Sequence, residues 1–356
     1  MTASKKTSRT LLFVGTYTKS CQSDGIYIYD FNPDTARTRV VTSTKKVVSP
    51  SFLSISLDRR LVYSVNENGE QSSVSVFAFD TDQEQIKLFN QIGSYGASPC
   101  YIVDDGNCVF VANYEGGTIA VFDKFPDGSI AGIRQVVHHH GNGPNAERQE
   151  KAHVHMISLS PDRNYLLATD LGSDEIYVYD FNHDGNGDVL SLKAKYKSNP
   201  GSGPRHFTFS RDGLHLYLLH ELDGRLTTFS YDDGKLGKID ETTIVEDGFK
   251  GEIGGGDIHI DNGGRFLYAT NRGDANTISV FGILAQGKLK HVETIGTKGK
   301  GPRNFAFSPD NKFLLIGHQD SNEIVIFGVD QQSGKLSDTG KRIPLCAPVC
   351  LKFMTI

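Results

Sequence analysis

The chain has 356 residues, with 37 Lys and Arg against 42 Asp and Glu and a formal charge of −5, so it lacks the basic footprint of a nucleic-acid binder. No run approaches the roughly 18 apolar residues of a membrane-spanning helix. With 38 glycines, 12 prolines and no tryptophan, the composition fits many short strands joined by turns, and a closed β architecture of this length needs no second domain.

The N-terminal stretch MTASKKTSRT is polar and basic, and the apolar run at 11–14 is too short for the core of a signal peptide. Residues 1–10 are predicted to be a disordered tail and residues 11–356 a single domain. Five scattered cysteines (Cys21, Cys100, Cys108, Cys346 and Cys350) show no C-x-x-C spacing. An odd set of this kind fits a reducing compartment, so a cytoplasmic location is expected.

From residue 11 onward the chain repeats itself at intervals of about 50 residues. A turn, usually at proline, opens each unit: Pro50, Pro99, Val154, Pro204, Gly255, Pro302 and Pro348. A first strand follows, then a turn such as Ser160-Pro161-Asp162, then an apolar second strand (YLLATDL, LYLLHEL, FLYATNR). A third, alternating strand (SVSVFAFD, EIYVYDF, EIVIFGV) and a weaker, polar fourth complete the unit. Four-stranded units of this length are propeller blades. The last unit has only its first strand, and residues 11–47 supply the missing three, so an all-β, seven-bladed β-propeller closed by N- and C-terminal strands in one blade is predicted.

The repeat allows equivalent positions to be compared. The start of each first strand lies beside the end of the second, so both face one mouth of the central channel. The first set reads Ser51, Cys100, His155, Arg205, Gly256, Arg303 and Val349. The second reads Tyr17, Glu67, Tyr114, Leu171, Glu221, Arg272 and Gln319, each preceded by a polar residue, among them Asn113, Asp170 and Asn271. Polar strand ends without partners are costly to bury, by about 1–3 kcal/mol each. Such a ring serves either a ligand or merely the backbone. The clustering of His155, Arg205, Glu221 and Arg272 on three consecutive blades favours a ligand: converging arginines invite an anion, and a His or Glu beside them offers a general base. The bland alternative is that Glu221 simply neutralises Arg205.

Other signals carry less. His138-His139-His140 with His153 and His155 match no zinc spacing. Asp184 to Asp188 opens like a calcium loop but has Val189 where glycine is needed and Lys195 where the bidentate Glu belongs, so a hairpin turn is expected. Gly254 to Gly256 lack the Lys-Ser/Thr of a nucleotide loop, and no G-x-S-x-G elbow occurs. Neither metal nor cofactor is expected.

The ordered motifs VGTYT (14–18), SPSFL (49–53), Asn66-Glu67, ANYEGG (112–117), Arg148-Gln149, HVH (153–155), DLG (170–172), GPRH (203–206), HEL (220–222), NRG (271–273), GPRNF (301–305) and PVC (348–350) run nearly the whole chain. In these the sequence resembles the lactonase family of seven-bladed β-propellers, which includes bacterial propeller-type 6-phosphogluconolactonases and fungal carboxy-cis,cis-muconate cyclases. The resemblance implies a metal-free site of one His, two Arg and one Glu, falling here on His155, with His153 as rival, Arg205, Glu221 and Arg272. It departs from the family at His318, usually Asn, and in the glycine-rich stretch 251–256.

The expected activity is hydrolysis of 6-phospho-D-glucono-1,5-lactone. Glu221 or His155 would activate water, one arginine would meet the oxyanion, and another, with Arg303 or His206, would hold the phosphate. His153, His206, Glu67, Asn113, Asp170, Asn271 and Arg303 are the expected substrate-binding residues. The expected partner is a small anionic lactone, with no nucleic acid or membrane. The alternatives are a lactonase or cyclase acting on another sugar or muconate lactone, and a non-catalytic protein-binding propeller.

Overall fold

In the computed structural model, which describes residues 8–56, 58, 60–183 and 187–356, seven four-stranded antiparallel sheets form the blades of a ring. Blades one to six span residues 53–93, 99–138, 154–197, 204–243, 255–296 and 302–344. Blade seven takes its innermost strand from the C-terminus (Pro348–Thr355) and the other three from the N-terminus (Thr10–Thr16, Ile26–Phe31 and Thr38–Ser43). Each innermost strand touches those of both neighbouring blades, which closes the ring around the channel. No described helix is long and apolar enough to cross a membrane.

The second strand of each blade is covered on both faces by adjacent blades. Leu61–Asn66, Cys108–Asn113 and Tyr165–Asp170 are therefore buried along their whole length and read as apolar runs rather than alternating ones. The core lies between blades: Val62, Tyr63 and Phe77 of blade one pack in one cluster with Val109 and Phe122 of blade two. Burying each such side chain stabilises the ring by about 1.5–3 kcal/mol. The fourth strands are edges. Leu190–Lys197 buries only its first residue, and its three lysines discourage pairing with another chain.

One irregularity positions the site. In blades two, three, four, six and seven the register shifts at the residue after the opening turn, leaving Cys100, His155, Arg205, Arg303 and Val349 as bulges. A bulged residue is unpaired and its side chain is re-aimed. The first strand thus delivers chemistry to the mouth from the same point in blade after blade.

Two expectations need correction. Thr10 already belongs to the first N-terminal strand, and the Arg9 N–H donates to the Ile356 carbonyl at 2.8 Å, so the ordered chain starts before residue 11. The cysteines are not all free: Cys21 and Cys346, 325 residues apart, form a disulfide, while Cys100, Cys108 and Cys350 are buried thiols. The hairpin turn expected at Asp184-Gly185-Asn186 lies outside the described residues.

Candidate active site

Glu221 is the centre of a charge cluster at the channel mouth. Its Oε2 accepts from Arg205 Nε at 2.8 Å and faces Arg272 Nη2 at 3.0 Å, while Oε1 accepts from Arg148 Nη2 at 2.6 Å. His155 Nε2 lies 3.7 Å from Oε2. Local backbone fixes each participant. The Glu221 N–H donates to the Gly203 carbonyl at 2.8 Å, and the Arg272 N–H donates to Gly254 at 2.7 Å. Arg148 comes from the loop between blades two and three, where Asn145 Oδ1 accepts the N–H groups of Glu147 and Arg148 at 3.1 and 3.2 Å.

Burial alone would raise the Glu221 carboxyl; Arg272, Arg205 and Arg148 outweigh it and hold the group ionised, well below the ordinary glutamate value. Burial pulls Arg205 down to about 9, with Arg272 adding to the effect, so Arg205 stays charged at neutral pH. Burial and the Arg205 charge hold His155 well below 6.5, which makes it a neutral imidazole. Both oxygens of Glu221 are occupied by guanidinium groups, and its depressed pKa makes it a weak base. Of the two groups expected to activate water, Glu221 or His155, Glu221 is thus bound up with the arginines.

The arginines differ in access. The Arg205 side chain is 1 % exposed, with Nη1 donating to the Gly256 carbonyl, so it lies beneath the mouth rather than in it. Arg272 and Arg148 are more accessible, at 14 % and 43 % exposed. The glycine-rich stretch in blade five has a steric cause. A Cβ on Gly255 would lie 2.3 Å from the His220 carbonyl oxygen, and one on Gly256 would lie 2.7 Å from that of Pro302. Gly256 holds the position that bears His155, Arg205 and Arg303 in blades three, four and six; a side chain there would run into Thr270 and Pro302, and the Nη atoms of Arg272 and Arg205 meet the carbonyls of Gly255 and Gly256.

The other side of the mouth carries a second carboxylate. Glu67 Oε1 accepts from Tyr17 OH at 3.3 Å and from Ser51 Oγ, and Arg303 lies over the Tyr17 ring, 5.3 Å from its centroid. Arg303 is only partly buried, and its guanidinium has no hydrogen-bond or ion-pair partner among the described residues. Beside them opens a cavity of about 510 Å³ lined by Tyr17, Lys19, Ser49, Glu67, Ser98 and Gln319. The Cys21–Cys346 disulfide joins the two segments that supply Lys19 and Ala347 to its wall.

Of the paired histidines, His155 turns to Glu221. His153 instead stacks on Tyr114 at 4.4 Å, with Nδ1 3.1 Å from the Tyr114 carbonyl oxygen and Nε2 3.1 Å from Glu150. His206 stands against Asp257, Nδ1 to Oδ1 at 2.8 Å, and meets His155 edge to face at 5.2 Å. Asn113, Asp170 and Asn271, expected to bind substrate, hold loops instead. Asn113 Nδ2 donates to the Ser94 carbonyl at 3.2 Å, and Asp170 Oδ1 accepts the N–H groups of His153, Gly172 and Ser173 at 2.8, 3.0 and 3.1 Å. Asn271 Oδ1 accepts the Gly254 N–H at 3.0 Å. At strand ends the neighbouring backbone has outrun its ladder partners, and these side chains replace them. His139 is equally structural, buried between Asp170 at 3.0 Å and Tyr179 OH at 2.8 Å.

Burial, reinforced by Arg205, lowers His206 to about 3 despite the facing Asp257, so a neutral imidazole donates to the carboxylate. A histidine with a depressed folded pKa binds its proton more readily when unfolded. Its stabilising contribution is present above the unfolded value of 6.5 and is lost as pH falls toward 3. Calorimetric unfolding between pH 7 and 4 should show a falling midpoint, with a shallower slope in His206→Asn; an unchanged slope would contradict this assignment.

The family model described as lactonase, 7-bladed β-propeller, matches residues 11–353. The 6-phosphogluconolactonase of Bacillus subtilis is 32% identical over 347 residues, covering 96% of this chain and 97% of that protein. A solved structure from Bacteroides fragilis, provisionally named a 6-phosphogluconolactonase, superposes with TM-score 0.93 at 39% identity, covering 99% of this chain and 100% of that one. The periplasmic gluconolactonase of Pseudomonas aeruginosa superposes with TM-score 0.92 at 33% identity, covering 98% and 99% of the two chains. With the blade count, the bulged first strands and the mouth cluster, these similarities show that the chain belongs to the lactonase family of seven-bladed β-propellers.

Proposed function

We propose that this protein hydrolyses a sugar lactone, 6-phospho-D-glucono-1,5-lactone, the ring-opening step of the pentose phosphate pathway. The observation that carries this reading is the Arg303 guanidinium, which lies over the Tyr17 ring at the cavity wall without a hydrogen-bond or ion-pair partner among the described residues, and whose charge is felt by Arg205 and Arg272. A phosphate suits Arg303, whose fork of donors is otherwise unused. Arg148 and Arg272, the accessible members of the cluster, face the oxygen that gains charge when water attacks the carbonyl. Arg205 and Glu221 hold those two in place, and neutral His155 accepts or donates a hydrogen bond to the bound lactone. A lactone is a reactive ester, so positioning, oxyanion stabilisation and one base suffice without a covalent intermediate.

A second reading is favoured by the Cys21–Cys346 disulfide and by the likeness to a periplasmic gluconolactonase: an unphosphorylated lactone in an oxidising compartment. In a cytoplasmic setting, the home of phosphorylated sugars, the half-buried disulfide is exposed to reduction. The two readings separate on Arg303→Ala. Losing a charge-assisted contact should raise KM for the phosphorylated lactone about ten- to a hundredfold while leaving that for glucono-1,5-lactone nearly unchanged. Equal, small effects on both would favour the neutral substrate. The assay uses freshly prepared lactone and reads acceleration over spontaneous opening.

A further inference from the structure

Blades one and four place a carboxylate at the same register position, the residue just after the second strand. In both, the residue after the opening turn of the same blade reaches it: Ser51 to Glu67, and Arg205 to Glu221. The environments then diverge. Glu221 is 6 % exposed with both oxygens engaged by guanidinium groups. Glu67 is partly exposed and lines the cavity; both of its hydrogen bonds fall on Oε1, and Oε2 has no partner among the described residues. Two carboxylates in one site whose surroundings push them apart mark an acid–base assignment.

We propose that Glu67, which lines the cavity and keeps Oε2 out of its hydrogen bonds to Tyr17 and Ser51, is the catalytic residue that carries the proton in lactone opening. The assignment rests on the lactone reading above. Oε2 takes one proton from a water molecule as the water oxygen bonds to the lactone carbonyl carbon, and the carbonyl electron pair moves onto oxygen facing Arg148 and Arg272. When the tetrahedral adduct collapses, the C=O bond re-forms and the bond from that carbon to the ring oxygen breaks. The departing oxygen takes the proton from Glu67 and becomes a free hydroxyl. The new carboxylic acid releases its own proton to solvent, and Glu67 is again ionised.

The electrostatics agree with this role. Burial raises the Glu67 carboxyl above the ordinary glutamate value, opposed by Arg303, Ser51 and Tyr17 and aided by Glu115. The titratable groups facing it are Tyr17 from blade seven, Cys100 and Glu115 from blade two, and Arg303 from blade six; burial keeps the Tyr17 phenol and Cys100 thiol protonated at neutral pH. A base with a raised pKa sits nearer the working pH and is better matched to water activation than Glu221.

The test is Glu67→Gln, which keeps the acceptor for Tyr17 and Ser51 and removes the basicity together with the negative charge. Its kcat on 6-phosphogluconolactone should fall about 10²–10⁴-fold, and the acid limb of its pH–rate profile should vanish. Calorimetric affinity for the product, 6-phosphogluconate, should fall by no more than about threefold, because the cationic groups that bind it are left intact. An active wild type matched by Glu67→Gln within about threefold, or a variant that keeps the acid limb, overturns the assignment alone. A wild type that gives no acceleration overturns the lactone reading, and this assignment with it. If the Gln variant does not fold, Glu67→Asp decides: a lower kcat with the acid limb kept supports the role, and an unchanged kcat refutes it.

Discussion

Arg205→Ala should lower kcat/KM by at least about a hundredfold, the scale of effect that follows when a catalytic arrangement shifts by an ångström. Arg205 is 1 % exposed, so the loss comes from beneath the site rather than from a missing substrate contact. Its Nε anchors Glu221 at 2.8 Å, and its Nη1 anchors the Gly256 carbonyl of the next blade. Without it Glu221 is held only from the outer side, and Arg272 and Arg148 lose their fixed counter-ion. Removing one partner of a buried ion pair typically costs about 3–5 kcal/mol; the two remaining arginines place this case toward the lower end. Arg205→Lys should rescue little, since one ammonium cannot satisfy two divergent acceptors as the guanidinium does. Steady-state kinetics paired with urea unfolding check both parts, and a fully active Arg205→Ala would remove this cluster from the mechanism.

Glu221→Gln should be the most destabilising single change at the mouth. It leaves Arg148, Arg205 and Arg272 converging on a neutral amide, with a loss of about 3–5 kcal/mol at neutral pH. The pH dependence gives a signature that simple misfolding would lack. The folded pKa of Glu221 lies well below 4.5, so its contribution is present above that value and disappears as pH falls through the folded pKa. The stability gap between wild type and variant should therefore narrow below about pH 4.5. A gap that stays constant down to pH 3 would mean that Glu221 is not the counter-ion described.

Much of this was legible in the chain itself, for a physical reason. A propeller repeats one unit, so the turn residues, the buried second strand and the half-blade at each end recur in register and announce the ring. The same register singled out His155, Arg205, Glu221 and Arg272, because a bulge recurs at the first of these positions and only unusual residues stand out against it. Direction was not legible. Asn113, Asp170 and Asn271 sit at strand ends of the right polarity, yet they turn toward loop backbone. Arg205 lies under the mouth with its Nη1 on the Gly256 carbonyl of the next blade, a relation between neighbouring blades that one strand cannot express. Arg148 lies in a loop outside the repeat, where comparison of blade positions does not reach; the sequence signal for it is the Arg148-Gln149 motif, with Asn145 holding its backbone amide. The Cys21–Cys346 pair joins segments 325 residues apart, where spacing carries no information.

The shared blade also settles how the molecule is handled from outside. Arg9 and Ile356 are bonded to each other through both backbone amides, at the end of the blade where the first N-terminal strand begins. That strand runs from there to Thr16, beside Tyr17 and the cavity. A surface tether fixed at Arg9 or Ile356 therefore sits on the far face, and a molecule held by it presents its open mouth to the solution.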